Sequence, residues 1–161
     1  METRLAIASK RDERRYDGRP VAKEIERRIL DAGRVSGSSQ NKQRWEFVVV
    51  EAEQERLADV VYAPGNVRNA GLVIAIVGEA ASFDVGRCAQ NMMLAAWDEG
   101  VISCPNGVHD GDLAAEICGG EVKMILSFGY PRTSRNVQRR SVEEWSAAAN
   151  RKPLDQLVRR V

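Results

Sequence analysis

The sequence predicts an α+β domain, or a three-layer α/β one, on three observations. Helical and strand patterns alternate irregularly along the 161 residues, and no internal repeat is visible. Leu72-Val-Ile-Ala-Ile-Val77 is apolar at every position, as a strand covered on both faces is. The pattern from Ser82 to about Glu99 is the longest and most apolar helix in the chain, which makes it the central one. At this length a single domain, 1–161, with a full hydrophobic core is expected.

Each element has its own signal. Thr3 to Ser9 reads as a short helix leading into a basic cluster. Asp17-Gly18-Arg19-Pro20 reads as a turn, with Pro20 close to a helix start. Val21, Ile25, Ile29 and Ala32 then recur at helical spacing, and Gly33 and Gly37 mark the end. Trp45 to Val50 is β-branched and aromatic, hence a strand. Glu53 to Val61 reads as a short helix broken by Ala63-Pro-Gly-Asn66. Ser82 is the expected cap of the central helix, and Gly100 its close. Val85, Ala89, Met92 and Ala96 form its inner stripe, with Cys88, Met93 and Trp97 beside it as core residues. Ile102 to Asn106 leads out through Pro105-Asn106-Gly107, a turn signal. Asp112 to Cys118 is a short helix, and Lys123 to Phe128 a strand ended by Gly129-Tyr-Pro131. Residues 130–161 read as an extended, polar C-terminal arm with one helical piece, Val142 to Ala149.

Composition excludes several classes of function. With 43% hydrophobic and 29% charged residues the chain is an ordinary soluble globular protein. A net charge of +1 gives no electrostatic argument for nucleic acid or membrane partners. No apolar run approaches a membrane-spanning length, and the N-terminus lacks a secretory apolar region. Three separated cysteines without CxxC spacing read as free thiols, and cytoplasmic localisation is expected. One histidine, His109, leaves little for a His-based metal site or triad, so no metal is expected. There is no GxGxxG after a strand and no Walker lysine loop.

What stands out is Val35-Ser-Gly-Ser-Ser-Gln-Asn-Lys-Gln-Arg-Trp45, between a helix and a strand. It packs hydroxyls, side-chain amides and cations into one connector, which suits a polar, phosphate-bearing ligand. Two basic clusters supply matching charge: Ser9-Lys10-Arg11-Asp12-Glu13-Arg14-Arg15-Tyr16, and Arg151-Lys152-Pro153-Leu154. Their convergence on one anionic cofactor is the expectation. Arg139-Arg140 compete with Arg151-Lys152, and the second pair is favoured because Pro-Leu follows it.

These pieces together resemble the nitroreductase family of FMN-dependent oxidoreductases over most of the chain. The basic motif appears as Lys10-Arg11-Asp12-Glu13-Arg14-Arg15-Tyr16, and the amide loop as Gly37-Ser38-Ser39-Gln40-Asn41-Lys42-Gln43-Arg44-Trp45. The central helix Asp84 to Ala96, Gly129-Tyr-Pro131 and Arg151 to Leu157 follow in the family's order. The resemblance implies an α+β, three-layer α-β-α sandwich with a mainly antiparallel central sheet, in an intertwined homodimer with two FMN sites at the interface. It implies that Lys10 and Arg11 serve the phosphate, Arg14 the ribityl chain or pyrimidine edge, and that Arg151 and Lys152 complete the phosphate clamp. Ser38, Ser39, Asn41 and Gln43 would reach the cofactor from the second subunit. Pro105, Asn106 and Gly107 match the segment whose backbone faces flavin N5 and O4. No side chain is then needed as a catalytic nucleophile, because FMN performs the chemistry.

This chain departs from the family pattern in four places. Lys10 stands where arginine is usual, losing the bidentate fork. Asp12 stands where many members have serine, and a carboxylate cannot hydrogen-bond a phosphate. Arg44 replaces proline, and the region from Tyr62 to Leu72 is short, so any cap over the flavin is reduced. The implied reaction is a ping-pong cycle in which NADH or NADPH is the reductant and a nitroaromatic, quinone or similar small molecule is the acceptor. Two alternatives stand beside it: an oxygen-dependent flavin-fragmenting activity, prompted by Asp12, and a flavin-binding protein without significant turnover. Cys104 is a further candidate for lining the flavin pocket, and His109 is expected in a loop or cap.

Overall fold

The computed structural model describes residues 1–133 and 136–161; Ser134 and Arg135, within the stretch expected as a C-terminal arm, lie outside the described residues. The helices and strands in chain order are α1 (Thr3–Ser9), α2 (Lys23–Arg34), β1 (Glu46–Val49), α3 (Gln54–Ala58), α4 (Pro64–Arg68), β2 (Leu72–Val77), α5 (Ser82–Asp98), β3 (Ile102–Asn106), α6 (Gly111–Cys118), β4 (Val122–Gly129) and α7 (Val142–Ala148). They fall into two units, Met1–Lys10 with Arg135–Val161, and Arg11–Ser134.

In the larger unit, four strands form an antiparallel sheet in the order β1-β2-β4-β3. Every residue of β2 is buried, which is why its sequence does not alternate. One face carries Ile74, Ile76, Leu126 and Phe128 against Ile29 of α2 and Met92 of α5. The other carries Val73, Ala75 and Ile125 against Leu57 of α3, Val67 of α4 and Ala114 of α6. Two cores on opposite faces make three layers, so the expected α+β sandwich with an antiparallel sheet is the observed one. Each of these side chains larger than alanine contributes roughly 1.5–3 kcal/mol by leaving water.

The structure corrects four local readings. Gly33 does not end α2 but lies inside it, buried, where a β-carbon would stand 2.8 Å from Phe47 Cζ and 3.0 Å from Met92 Sδ. It is a point of close approach between layers, a role indistinguishable from helix termination in sequence. Ala63-Pro-Gly-Asn66 breaks one helix but also starts the next, since Pro64 occupies the first turn of α4, where its missing N–H costs nothing. Ser82 is the first residue of α5 rather than its cap; Ala81 holds the cap position without a side-chain hydrogen bond. Pro105 and Asn106 belong to β3 rather than to a turn, paired with Leu126 and Ile125. Proline is tolerated there because β3 is an outer strand of the sheet.

The segment after Lys10 runs along the outer side of β3. Asp12 bridges Ser103, the Glu13 N–H donates to the Ser103 carbonyl at 3.1 Å, and Tyr16 bridges Pro131. This covers a strand edge that would otherwise offer unpaired backbone groups.

In the smaller unit α1 packs on α7, with Arg4 Nη2 3.8 Å from Glu143 Oε1. Ser141 and Glu144 form a reciprocal capping box at the start of α7. The Trp145 indole N–H donates to the Val137 carbonyl at 3.0 Å, and the Arg140 guanidinium lies 5.0 Å from the same ring centroid. Among the described residues, no helix is long and apolar enough to cross a membrane.

Candidate functional site

The basic segment is pinned to the sheet from below. Arg14 is exposed, yet its Nε donates to the buried Cys104 Sγ at 3.1 Å. That bond holds the Arg14 guanidinium above its ordinary pKa, so it is a fixed cation at any working pH. Two residues on, Tyr16 packs against Gly129, where a β-carbon would stand 2.7 Å from Tyr16 Cδ1. Its hydroxyl is 2.8 Å from Ser127 Oγ. Burial pushes the Tyr16 phenol well above its ordinary range, so it remains a neutral donor. Arg11 is half-buried and Asp12 exposed.

The amide loop is built by two anchors and three strained residues. Asp84 Oδ2, buried in the first turn of α5, accepts the Ser39 N–H at 2.9 Å. Ser38 Oγ accepts the Gln43 N–H at 2.9 Å, closing the loop on itself. Between and beside these contacts, Gln40, Asn41 and Gln43 take positive φ of 53°, 54° and 48°. Non-glycine residues in that region cost on the order of 1–3 kcal/mol each unless the surroundings enforce them. The Gln40, Asn41 and Gln43 side chains are exposed. Asp84 was not singled out in the sequence, although its place in a first helical turn was visible there.

At the end of β3, Pro105 is half-buried, Asn106 buried and Gly107 exposed. The Gly107 carbonyl accepts the Tyr62 N–H at 3.1 Å. Exposed Tyr62 lies 5.6 Å, centroid to centroid, from His109, whose own N–H donates to the Val60 carbonyl at 2.9 Å. His109 is thus a loop residue, as expected. The Asn106 amide nitrogen faces three acceptors: Ser127 Oγ at 3.0 Å, the Cys104 carbonyl at 3.1 Å and the Ile125 carbonyl at 3.4 Å. Its Oδ1 is buried and has no hydrogen-bond partner, and neither has Ser103 Oγ. Ser127 was also missed; a lone hydroxyl in the apolar run Lys123 to Phe128 was the signal.

The larger unit therefore brings Arg14 and Tyr16 together with Cys104, Asn106 and Ser127. It places the Ser38–Gln43 loop at the N-terminus of α5. Lys10, Arg151 and Lys152 belong to the smaller unit. There the Lys10 N–H closes α1 on the Ala6 carbonyl at 3.0 Å, and Arg151 lines a groove of about 470 Å³ with Arg4, Ile7, Ala8, Val142 and Ser146. Among the described residues, no group of three or more His, Cys, Asp or Glu side chains could hold a metal ion.

Fold and topology define the class, the three-layer α+β proteins of which solved nitroreductase-family structures are examples. A nitroreductase-family protein from Clostridium difficile 630 is similar at a TM-score of 0.80 and 21% identity, over 99% of this chain and 98% of that one. A candidate nitroreductase from Desulfovibrio desulfuricans, in complex with FMN, reaches a TM-score of 0.80 at 23% identity over 98% and 96%. An FMN-dependent nitroreductase from Clostridium difficile R20291 reaches 0.73 at 22% over 86% and 95%. The model of the nitroreductase family matches residues 7–80 and 75–130, and the chain belongs to that family. No curated protein matches it.

Proposed function

We propose that this protein is an FMN-dependent oxidoreductase, reduced by NADH or NADPH and oxidised by a nitroaromatic, quinone or similar small acceptor, acting as a cytoplasmic homodimer. The observation that carries the reading is the Ser38–Gln43 loop. Three non-glycine residues are held at positive φ by Asp84 and Ser38, which leaves side-chain amides exposed in a fixed frame. Such strain is retained where a loop must present donors and acceptors in one geometry. The donor set also suits a flavin, with amides for the pyrimidine edge, a permanent cation in Arg14, and a buried orphan acceptor in Asn106 Oδ1.

Bound FMN would supply the hydride chemistry, taking a hydride from the nicotinamide and passing reducing equivalents to the acceptor. The chain's part is to bind and orient. Lys10 and Arg11, with Arg151 and Lys152, would hold the phosphate, and Arg14 would serve the ribityl chain or pyrimidine edge. Ser38, Ser39, Asn41 and Gln43 would come from the second subunit. Pro105 has no N–H, so a backbone donor towards N5 has to come from Asn106 or Gly107. The Asp12 carboxylate has no proton to donate to a phosphate oxygen and would sit beside the phosphate only as a partner of the surrounding cations. Cys88, Cys104 and Cys118 are free thiols, which fits a reducing compartment.

The test is an absorbance spectrum of the purified protein, before and after anaerobic NADH or NADPH. Flavin bands that bleach are the expected outcome. A colourless protein that takes up no added FMN would overturn the proposal. A yellow protein that neither nicotinamide bleaches would leave a flavin carrier in its place.

A further inference from the structure

The contacts behind β3 form a buried hydrogen-bond cluster that leaves Asn106 Oδ1 without a partner. Ser127 Oγ can donate once and accept twice. It lies 3.3 Å from the Cys104 carbonyl and 2.8 Å from the Tyr16 hydroxyl, either of which can take the serine proton. The Asn106 amide nitrogen, 3.0 Å away, is a donor to Ser127 Oγ. The Tyr16 hydroxyl lies within reach of two groups of Ser127, its Oγ at 2.8 Å and its carbonyl at 3.2 Å. The valences close in two ways, with Tyr16 donating to Ser127 Oγ and Ser127 Oγ to the Cys104 carbonyl, or with Ser127 Oγ donating to Tyr16 and Tyr16 to the Ser127 carbonyl. Both tie Tyr16 to Ser127, and Asn106 donates to Ser127 Oγ in each. Orientation of the Asn106 amide follows from its neighbours, because flipping it would aim Oδ1 at the Cys104 and Ile125 carbonyls, which can only accept.

All four residues are buried, and Ser127 is fully so. Tyr16 and Ser127 are 111 residues apart in sequence. Buried polar networks are costly unless fully satisfied, and an apolar residue at position 127 would pack as its strand neighbours do. Retaining a hydroxyl here calls for a task that packing does not supply.

We propose that Tyr16, Ser127 and Asn106 are positioning residues: they lock the Cys104–Gly107 backbone to the segment carrying Arg14, and so fix the distance between the two parts of the chain that grip the flavin. Arg14 adds a second tie across the same gap through Cys104 Sγ. This rests on the FMN reading for its purpose, though the lock itself is a property of the protein without cofactor.

The test uses Tyr16→Phe, which keeps the ring on Gly129, and Ser127→Ala, singly and together. Ile29→Val, on the opposite face of the sheet, serves as a control of comparable stability loss. Hydrogen exchange of the peptide spanning 104–108 is followed in FMN-free protein, and FMN affinity is read by fluorescence titration. Expected is at least tenfold faster exchange and at least tenfold weaker FMN binding in each single variant, and little added loss in the double variant. The control should show neither change beyond its loss of global stability. The proposal is overturned if exchange and affinity stay within twofold of wild type, or if the two single effects simply add. Failure of wild type to bind FMN would instead remove the proposed function, and the exchange measurement alone would then decide whether the lock exists.

Discussion

A β-carbon on Gly71 would collide with the backbone carbonyl of Arg19 and stand 3.3 Å from the Val21 nitrogen. Neither neighbour is a flexible side-chain tip, and Gly71 also accepts from Val21 and donates to Phe128. Gly71→Ala should therefore cost about 3 kcal/mol, read as a shift in the urea midpoint at unchanged slope. Cys88 makes a second prediction at this scale. Burial pushes its thiol up to about 11, so the folded protein holds that proton more tightly than the unfolded chain. The resulting stabilisation is complete below the ordinary thiol value of about 8.5 and is lost as pH rises towards 11. Unfolding free energies of wild type and Cys88→Ala, compared from pH 8 to pH 11, should converge as pH rises. Reading Cys88 as a small buried hydrophobe was possible from its helical stripe. Gly71 was not legible, since the carbonyl it must avoid is 52 positions away by the numbering.

Among the elements, α5 does two things at once. Its inner stripe closes one core, while Asp84 at its first turn reaches the Ser39 N–H. Asp84→Ala should cost about 2 kcal/mol, the scale of a hydrogen bond to a charged group. It should also release the strain at Gln40, Asn41 and Gln43, so FMN affinity should fall more than stability alone explains. Urea unfolding and flavin titration of the same variant check both halves. Asp84→Asn, which keeps an acceptor oxygen, should recover most of the stability. β2 is the complementary case. Ile74 is fully buried at the centre of the sheet, and Ile74→Ala should cost roughly 2–5 kcal/mol, measured by thermal unfolding. Both elements were readable in sequence because their patterns are internal to the segment. The link from Asp84 to Ser39 was not, because nothing in either segment specifies the other.

For the whole molecule the informative number is a net charge of +1 with cations gathered in clusters. If those clusters grip a phosphate, FMN should bind at least tenfold more tightly than riboflavin at low salt, about 1.4 kcal/mol. The difference should shrink as ionic strength rises and screening shortens the reach of exposed charges. Isothermal titration of both flavins over a salt series measures it. Lys10→Ala, Arg11→Ala and Arg151→Ala should each reduce the FMN preference while leaving riboflavin binding within about twofold. A homodimer that shares the Ser38–Gln43 loop makes a further demand: diluting the protein until it dissociates should release flavin in parallel, seen by light scattering and fluorescence together.

The sequence by itself determined the longer helices α2 and α5, the strands β1, β2 and β4, the buried centre and the family resemblance. Each of these is written in periodicity, in an unbroken apolar run, or in short motifs whose residues lie close together in the chain. The tertiary structure alone decided the strand order β1-β2-β4-β3, the placing of Pro105 in an outer strand and Gly33 at a contact between layers. It alone showed that a tyrosine and a serine 111 residues apart share a proton donor and acceptor. The physical reason is one of range. Helix and strand preference follow from torsions and side-chain spacing within a few residues, whereas close approach and buried hydrogen bonding are satisfied only between segments the fold has already brought together.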